Sequence, residues 1–284
     1  MDIKSLIDLK FNSGLMRKAL SWKYKDNHFY KLPFGRIRGL KLYYQKDINF
    51  HAMLGFWEMG SLNLLIRLFN HFGLRRKPSV VIADVGGNIG YYSLFFSRQL
   101  DPTSKIFCFE PSSSILPVLK MNLAENHVQN VQVLELACDD HVGKNEFFIG
   151  AHHHQSSLIP EWSDNDRTGT KTEVATVTLD YFFEKFNQGG YPDLIKMDIE
   201  GGAVRALKGC DQCIRQKRPF ILIESHTPGE DQAISELLLQ YDYEAFRVNN
   251  RKWVKHKKEN YKDRDGIWGT MLLMPAEKQK GFIN

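Results

Sequence analysis

The chain of 284 residues has little cysteine, no long apolar run and no dense stripe of basic charge. It contains four cysteines, and the pair Cys210 and Cys213 has no second pair with which to form a four-cysteine zinc site. No segment approaches the roughly 18 consecutive apolar residues of a membrane span, and we recognise no signal peptide. These absences argue against a disulfide-rich secreted scaffold and against a membrane protein. They predict a cytoplasmic protein with reduced thiols.

The overall charge is mildly basic, with a formal net charge of +5. Such a charge would favour an anionic substrate or surface. The basic residues are scattered among aromatic ones, however, and do not form the continuous patch that nucleic-acid binding requires. Hydrophobic residues make up 43% and charged residues 25% of the chain, which are ordinary globular values. The length allows one large α/β domain with an extension, or two smaller domains.

The most informative stretch begins with an apolar run from Val80 to Ala83 and continues into Asp84 and several glycines. This pattern predicts a strand buried in a parallel sheet, then a sharp turn, then a helix whose free N–H groups can bind a ligand. The glycine spacing differs from the pyrophosphate-binding G-x-G-x-x-G pattern, and a carboxylate at Asp84 would repel a diphosphate. It would instead attract the ammonium group of S-adenosylmethionine. The predicted cofactor-binding residues of this stretch are Asp84, Gly86, Gly87, Asn88, Gly90 and Tyr91.

A second acidic residue, Glu110, ends the next predicted strand. A carboxylate there can accept hydrogen bonds from both ribose hydroxyls of the cofactor. We expect Pro111 and Ser112, which follow directly, to lie at the same site. We also expect a third strand, over 131–136, to end at this edge of the sheet. There Asp139 could accept a hydrogen bond from the adenine amino group, and a simple turn role is equally open.

Two further predicted strands also end in acidic residues. Asp198 and Glu200 follow one strand, and Glu224 and His226 close the next. Residues two apart on an extended chain face the same side, and the carboxyl ends of parallel strands meet at one edge. We predict Asp198, Glu200 and His226 to be catalytic, with His226 favoured as general base because the ordinary pKa of histidine lies nearest neutrality. Asp198 is also expected to contact the cofactor, and Glu224 the substrate. Alternatively, Asp198 and Glu224 could hold Mg²⁺, which prefers carboxylate oxygens.

Residues 1–78 show no alternation of strands and helices and mix basic with aromatic side chains. We interpret them as an N-terminal cap, followed by the cofactor-binding domain over 79–284. Because a cap often covers a ligand cleft, His51, Trp57 and Glu58 are predicted to contact the substrate. The predicted fold of 79–284 is a Rossmann-like α/β domain with a mostly parallel sheet and an antiparallel last strand.

Several motifs together resemble one known family. They are Asp84-Val-Gly-Gly-Asn-Ile-Gly-Tyr-Tyr-Ser, Phe109-Glu-Pro, Thr178-Leu-Asp, Leu194-Ile-Lys-Met-Asp-Ile-Glu-Gly, Leu207-Lys-Gly and Ile223-Glu-Ser-His, in this order. The order and content resemble the FkbM family of S-adenosylmethionine-dependent O-methyltransferases. One departure is that Gly202-Ala-Val stands where the family usually has Gly-Ala-Glu, so this position lacks a carboxylate.

The resemblance implies a class I methyltransferase fold, S-adenosylmethionine as cofactor, and methylation of a hydroxyl on a small molecule such as a sugar or glycoconjugate. Two other functions stay open. A nucleic-acid methyltransferase could use the basic N-terminal segment and the loop from Arg251 to Lys262 as its groove. A non-catalytic nucleotide-binding protein could keep the fold without methyl transfer. The sequence indicates no oligomeric state.

Overall fold

The computed structural model describes residues 24–45, 50–149, 156–158, 171–248, 253–256 and 269–282. The chain divides into two compact units, Met1–Trp57 and Glu58–Asn284. The helix Met59–His71, which the sequence analysis assigned to the N-terminal cap, therefore belongs to the larger unit. The domain boundary after residue 78 stays a prediction.

In the described part of the first unit, the chain forms a two-stranded antiparallel hairpin and one short helix. Strand β1 (His28–Lys31) pairs with β2 (Lys41–Tyr44), and helix α1 spans Phe50–Leu54. Tyr24 packs edge-on against Tyr30, with 4.7 Å between the ring centroids, so aromatic contacts stabilise this hairpin.

The second unit is built on an eight-stranded sheet. Its strands are β3 (Val81–Val85), β4 (Lys105–Phe109), β5 (Val131–Leu134), β9 (Leu194–Met197), β10 (Phe220–Ser225), β11 (Tyr243–Val248), β12 (Trp253–His256) and β13 (Gly269–Pro275). They lie in the order β12-β11-β13-β10-β9-β3-β4-β5. The five strands from β10 to β5 are parallel, and β13 is antiparallel to both of its neighbours. The predicted class I methyltransferase fold is confirmed.

Among the described residues of the second unit, six α-helices accompany the strands. They are α2 (Met59–His71), α3 (Tyr91–Gln99), α4 (Leu116–Glu125), α5 (Leu179–Phe186), α6 (Ala203–Lys208) and α7 (Pro228–Gln240). Helix α4 begins after Ser112 because Pro117, which has no N–H to donate, fits only in the first turn of a helix. All four residues of β9 are buried, as expected for a strand covered on both faces.

The residues that lie between β5 and β9 in the sequence form a second, smaller sheet. It contains β6 (Ala137–Cys138), β7 (Gly143–Phe148) and β8 (Lys171–Val177), in the order β6-β8-β7. The strand predicted over 131–136 is β5, which begins at Val131 as expected but ends two residues early, at Leu134, and the chain then joins the small sheet. Because β5 is a half-exposed edge strand, the chain can leave it without exposing a large apolar surface. Asp139 therefore follows a strand of the small sheet.

Among the described residues no helix is both long enough and apolar enough to cross a membrane. All four cysteines are buried, including Cys210 and Cys213.

Candidate active site

The turn between β3 and α3, residues 86–90, is here called the glycine turn. Gly86 has φ +80°, and a Cβ on it would lie 2.1 Å from the carbonyl oxygen of Asp198. A Cβ on Gly87 would lie 2.2 Å from the Sγ of Cys108. Asn88 has φ +46°, in the left-handed region that asparagine tolerates better than most residues. The turn is therefore packed so closely against β4 and β9 that side chains are excluded at both glycines.

The carboxylate of Glu110 connects the end of β4 to the glycine turn. One oxygen accepts a hydrogen bond from the backbone N–H of Asn88 at 2.8 Å, and the other accepts one from the N–H of Ser112 at 2.9 Å. Burial raises the pKa of Glu110, and the two hydrogen bonds oppose that shift. The structure thus brings Glu110, Pro111 and Ser112 next to the turn, as predicted.

Asp84 lies deeper than the sequence suggests. Its side chain is fully buried; Oδ2 accepts a hydrogen bond from the hydroxyl of Ser93 at 2.6 Å, and Oδ1 lies 3.6 Å from the ammonium of Lys196. Oδ1 makes no hydrogen bond. Burial raises the pKa of Asp84, and the positive charge of Lys196 opposes the shift. The carboxylate therefore faces a cation of the protein itself, and its contact with the cofactor stays a prediction.

Lys196 is a site residue that the sequence analysis missed. It lies on β9, is only 3% exposed, and its Nζ donates a hydrogen bond to the carbonyl oxygen of Gly86 at 2.8 Å. The same Nζ lies 3.8 Å from Oδ2 of Asp198 and 5.0 Å from the ring centroid of Tyr92. A lysine inside an otherwise apolar strand is the signal that could have identified it, because a lysine is almost never fully buried without a partner.

Four side chains at the carboxyl ends of β9 and β10 form what we call the His226 cluster: His226, Asp198, Glu200 and Glu224. The Nε2 atom of His226 lies 3.5 Å from Asp198, 3.8 Å from Glu200 and 3.9 Å from Glu224. The predicted convergence of these residues is therefore observed. Because the side chain of His226 is 16% exposed, the imidazole is accessible from one side.

Glu230 holds the backbone beneath this cluster. This buried carboxylate accepts hydrogen bonds from the N–H of His226 at 2.7 Å, of Thr227 at 3.1 Å and of Ala203 at 3.0 Å. It also completes the capping box of α7 with Thr227. Glu230 thus connects the start of α6 with the start of α7.

Repulsion and burial perturb two carboxyl groups of the cluster. The pKa of Glu200 is raised to about 7, mainly by burial, against the attraction of His226. The pKa of Glu224 is raised to about 8 by burial and by the negative charges of Asp198 and Glu58. At neutral pH these groups therefore bind protons that the unfolded chain has released.

These shifts predict a pH-dependent stability. Because the folded state binds more protons than the unfolded state between about pH 5 and pH 8, the free energy of unfolding should fall as the pH rises through this range. Urea unfolding at several pH values measures the slope. Glu200→Gln and Glu224→Gln should each flatten it, whereas Glu184→Gln, at an exposed position of α5, should not. If the free energy of unfolding depended on pH equally in all three variants, Glu200 and Glu224 would not be the source of the pH dependence.

Glu58 and Tyr92 lie beside the cluster. The hydroxyl of Tyr92 donates to Oε2 of Glu58 at 3.1 Å, and Ser61 donates to the same oxygen at 3.0 Å. Burial and the charge of Glu58 raise the pKa of the neighbouring Tyr91. Since Glu58 also raises the pKa of Glu224, its charge acts on the site.

Three further residues predicted to contact a ligand are Asp139, His51 and Trp57. Asp139 is held by Arg205, whose Nε lies 2.6 Å from Oδ1, and by Asn145 at 3.1 Å. Its role toward adenine stays a prediction. His51 and Trp57 belong to the first unit, the side chain of His51 lies outside the described residues, and their contact with substrate also stays a prediction. Of the basic loop, only the backbone of β12 is described.

The donor set of the cluster fits a metal poorly. Ligand atoms of Asp198, Glu224 and His226 lie within 4.8 Å of one another. Mg²⁺ prefers oxygen ligands throughout, whereas the two carboxylates here share their space with an imidazole and with the ammonium of Lys196. The alternative of a Mg²⁺ site is not supported.

A methyltransferase family model matches this chain over most of the larger unit. The model is the methyltransferase FkbM domain, and it matches residues 84–245. The chain is 27% identical over 185 residues to methyltransferase sdnD of Sordaria araneosa, covering 56% of this chain and 71% of that protein. It is 22% identical over 191 residues to methyltransferase 1 of Beauveria bassiana, covering 61% and 75% respectively.

Among solved structures, the methyltransferase FkbM of Methylobacillus flagellatus KT matches with a TM-score of 0.45 and 19% identity. The match covers 71% of this chain and 45% of that one, so the chain spans less than half of that protein. The family match includes the glycine turn, Glu110 and the His226 cluster. The resemblance noted in the sequence is confirmed, and the chain belongs to the FkbM family of S-adenosylmethionine-dependent methyltransferases.

Proposed function

We propose that the chain transfers a methyl group from S-adenosylmethionine to a hydroxyl of a small molecule, a sugar or glycoconjugate. The observation that carries the proposal is the position of His226. Its imidazole lies at the carboxyl edge of the sheet, where open α/β sheets bind ligands, and only β9 separates its strand, β10, from β3, which leads into the glycine turn. A hydroxyl is a weak nucleophile, and a base within reach of its proton is the group that hydroxyl methylation requires.

The residues around the glycine turn fit the cofactor. Close packing excludes side chains at Gly86 and Gly87, which leaves the backbone free to approach a ligand. Glu110 provides carboxylate oxygens beside the turn, and the buried Oδ1 of Asp84 has no hydrogen-bond donor. When bound, S-adenosylmethionine supplies an electrophilic methyl group on a sulfonium.

In the proposed reaction, the His226 cluster would accept the proton of the acceptor hydroxyl. Nε2 of His226 takes the hydroxyl proton as the oxygen gains its methyl group, and the imidazolium that forms lies within 3.9 Å of three carboxyl groups. Asp198, at 3.5 Å from the same nitrogen, is placed to stabilise that charge. The new O–CH3 bond would form as the S–CH3 bond of the sulfonium breaks with its electron pair staying on the departing sulfur, and the hydroxyl proton would move from oxygen to Nε2 of His226.

Several carboxylates around one imidazole also suit a polyhydroxylated acceptor. Carboxyl oxygens can accept hydrogen bonds from ring hydroxyls whether or not the group is protonated, and Glu58, Glu200 and Glu224 offer such oxygens in addition to the proposed base. The acceptor would then be held by hydrogen bonds from several of its hydroxyls while one hydroxyl is methylated.

We propose that the reaction takes place in the cytoplasm.

The experiment that tests the proposal measures tritium transfer from labelled S-adenosylmethionine to a panel of glycans, small alcohols and RNA. We expect label in a hydroxyl-bearing small molecule or glycan, in a linkage that resists alkali as an ether does. Label only in RNA would support a nucleic-acid methyltransferase instead. Binding of S-adenosylhomocysteine without transfer to any acceptor would support a non-catalytic protein.

A separate prediction concerns the cofactor. Glu110→Ala should weaken binding of S-adenosylhomocysteine by about 1.5–3 kcal/mol, the usual loss when hydrogen bonds to a charged group are removed. Isothermal titration measures the affinity, and thermal unfolding checks that the fold survives. Glu135→Ala, at an exposed position on the following strand connection, is the matched control and should bind as the parent does. Unchanged affinity in Glu110→Ala would mean that the ribose is held elsewhere.

A further inference from the structure

Lys196 is a buried cation without an obvious structural reason. It stands inside a fully buried strand, where the loss of hydration of an ammonium costs several kcal/mol. A well-packed apolar pair in place of Lys196 and Asp84 could serve stability as well or better. A simple role in holding the sheet together therefore does not explain why a charge is present at this position.

The three groups that Nζ contacts belong to different parts of the site. The carbonyl oxygen of Gly86, at 2.8 Å, is in the glycine turn. Asp84, at 3.6 Å, is on the strand that leads into it. Asp198, at 3.8 Å, belongs to the His226 cluster, and its other oxygen lies 3.5 Å from Nε2 of His226. One ammonium group thus contacts both the glycine turn, which is proposed to bind the cofactor, and the His226 cluster, which is proposed to bind the acceptor.

The surroundings keep this ammonium charged and in place. Desolvation lowers the pKa of Lys196, but the negative charges of Asp198 and Asp84 outweigh it, so the pKa is raised. The ring of Tyr92 lies 5.0 Å away on another side, and Tyr92 is itself hydrogen-bonded to Glu58. The lysine head group is therefore surrounded by acceptors and an aromatic face.

We propose that Lys196 is a positioning residue that fixes the glycine turn and Asp198 relative to each other, so that cofactor and acceptor are aligned for in-line transfer. Its hydrogen bond holds the Gly86 carbonyl toward β9, which orients the peptide groups that follow it in the turn. Its charge holds the Asp198 carboxylate between the turn and His226. Alignment of this kind matters because displacement of reacting groups by about 1 Å can cost about two orders of magnitude in rate. The inference rests on the proposed methyl transfer.

A double-variant cycle separates positioning from stability. Lys196→Met leaves Asp84 buried without its counter-charge and should lower stability, which alone would not distinguish the two roles. Asp84→Asn removes that charge, so the combination Lys196→Met/Asp84→Asn should recover most of the stability in urea unfolding. Lys144→Met, at an exposed ion pair with Glu173, is the control for loss of a lysine.

The decisive measurement is amide hydrogen exchange of residues 86–90 in the ligand-free protein. If Lys196 positions the turn, these amides should exchange roughly tenfold faster or more in the double variant than in Asp84→Asn, even though global stability is restored. The dissociation constant of S-adenosylhomocysteine should rise roughly tenfold or more in the same comparison. Exchange in the double variant equal to that in Asp84→Asn would overturn the inference. Because the exchange measurement needs neither cofactor nor acceptor, failure of this inference is distinguishable from failure of the proposed function.

Discussion

Replacement of His226 by glutamine is expected to lower kcat for hydroxyl methylation by about 10²- to 10⁴-fold, the usual contribution of a positioned general base. Glutamine keeps a polar side chain of similar size but cannot take the hydroxyl proton. The reason for a large effect is geometric: Nε2 is the atom on which Asp198, Glu200 and Glu224 converge. Initial rates of tritium transfer at saturating cofactor, with the best acceptor of the panel, measure the loss.

Two companion variants sharpen this test. Asp198→Asn removes the charge nearest to Nε2 and should also lower kcat, because the imidazolium loses its closest counter-charge. His127→Gln makes the same substitution at an exposed histidine and should keep the activity of the parent. Full activity in both His226→Gln and Asp198→Asn would remove the proposed mechanism.

Substitution of Glu230 by alanine should lower the free energy of unfolding by about 3–5 kcal/mol. The change leaves three backbone N–H groups without their acceptor, those of His226, Thr227 and Ala203. Each unsatisfied buried donor costs about 1–3 kcal/mol, and water entering the space reduces the sum. The capping box at the start of α7 is lost as well. Urea unfolding at pH 7 measures the change.

Glu236→Ala is the matched control because Glu236 lies on the same helix and is exposed. Its hydrogen bond with Gln232 joins two residues one turn apart on the helix surface, and its loss should cost about 0.5 kcal/mol or less. Equal destabilisation by both variants would mean that Glu230 contributes only as a helix residue. Loss of activity without loss of stability in Glu230→Ala would also contradict the structural assignment.

Much of the fold follows from local pattern. The strands at Leu194–Met197 and Tyr243–Val248 have the bounds that their apolar residues predict, and helix α5 begins at Leu179 after the capping residue Thr178. The convergence at His226 was also predictable, because acidic residues at the ends of parallel strands must meet at one edge.

The sequence could not indicate the features of the fold and site that depend on pairing between distant segments. That Ala137–Cys138 leaves the main sheet is decided by β8, which pairs with it from far along the chain. The pairing of Asp139 with Arg205 on α6 is likewise invisible in the sequence. The position of Asp84 opposite Lys196 also follows only from the register between β3 and β9.

The pairing of β3 with β9 has a kinetic consequence. Lys196 and the Gly86 carbonyl that it holds are 110 positions apart, and β4, β5 and the small sheet lie between them in the chain. Closing so long a loop is entropically costly and tends to make folding slow. The cofactor site should therefore appear only in the last phase of refolding, after both central strands have joined. In stopped-flow refolding, an early signal of S-adenosylhomocysteine binding, before the sheet forms, would contradict this order.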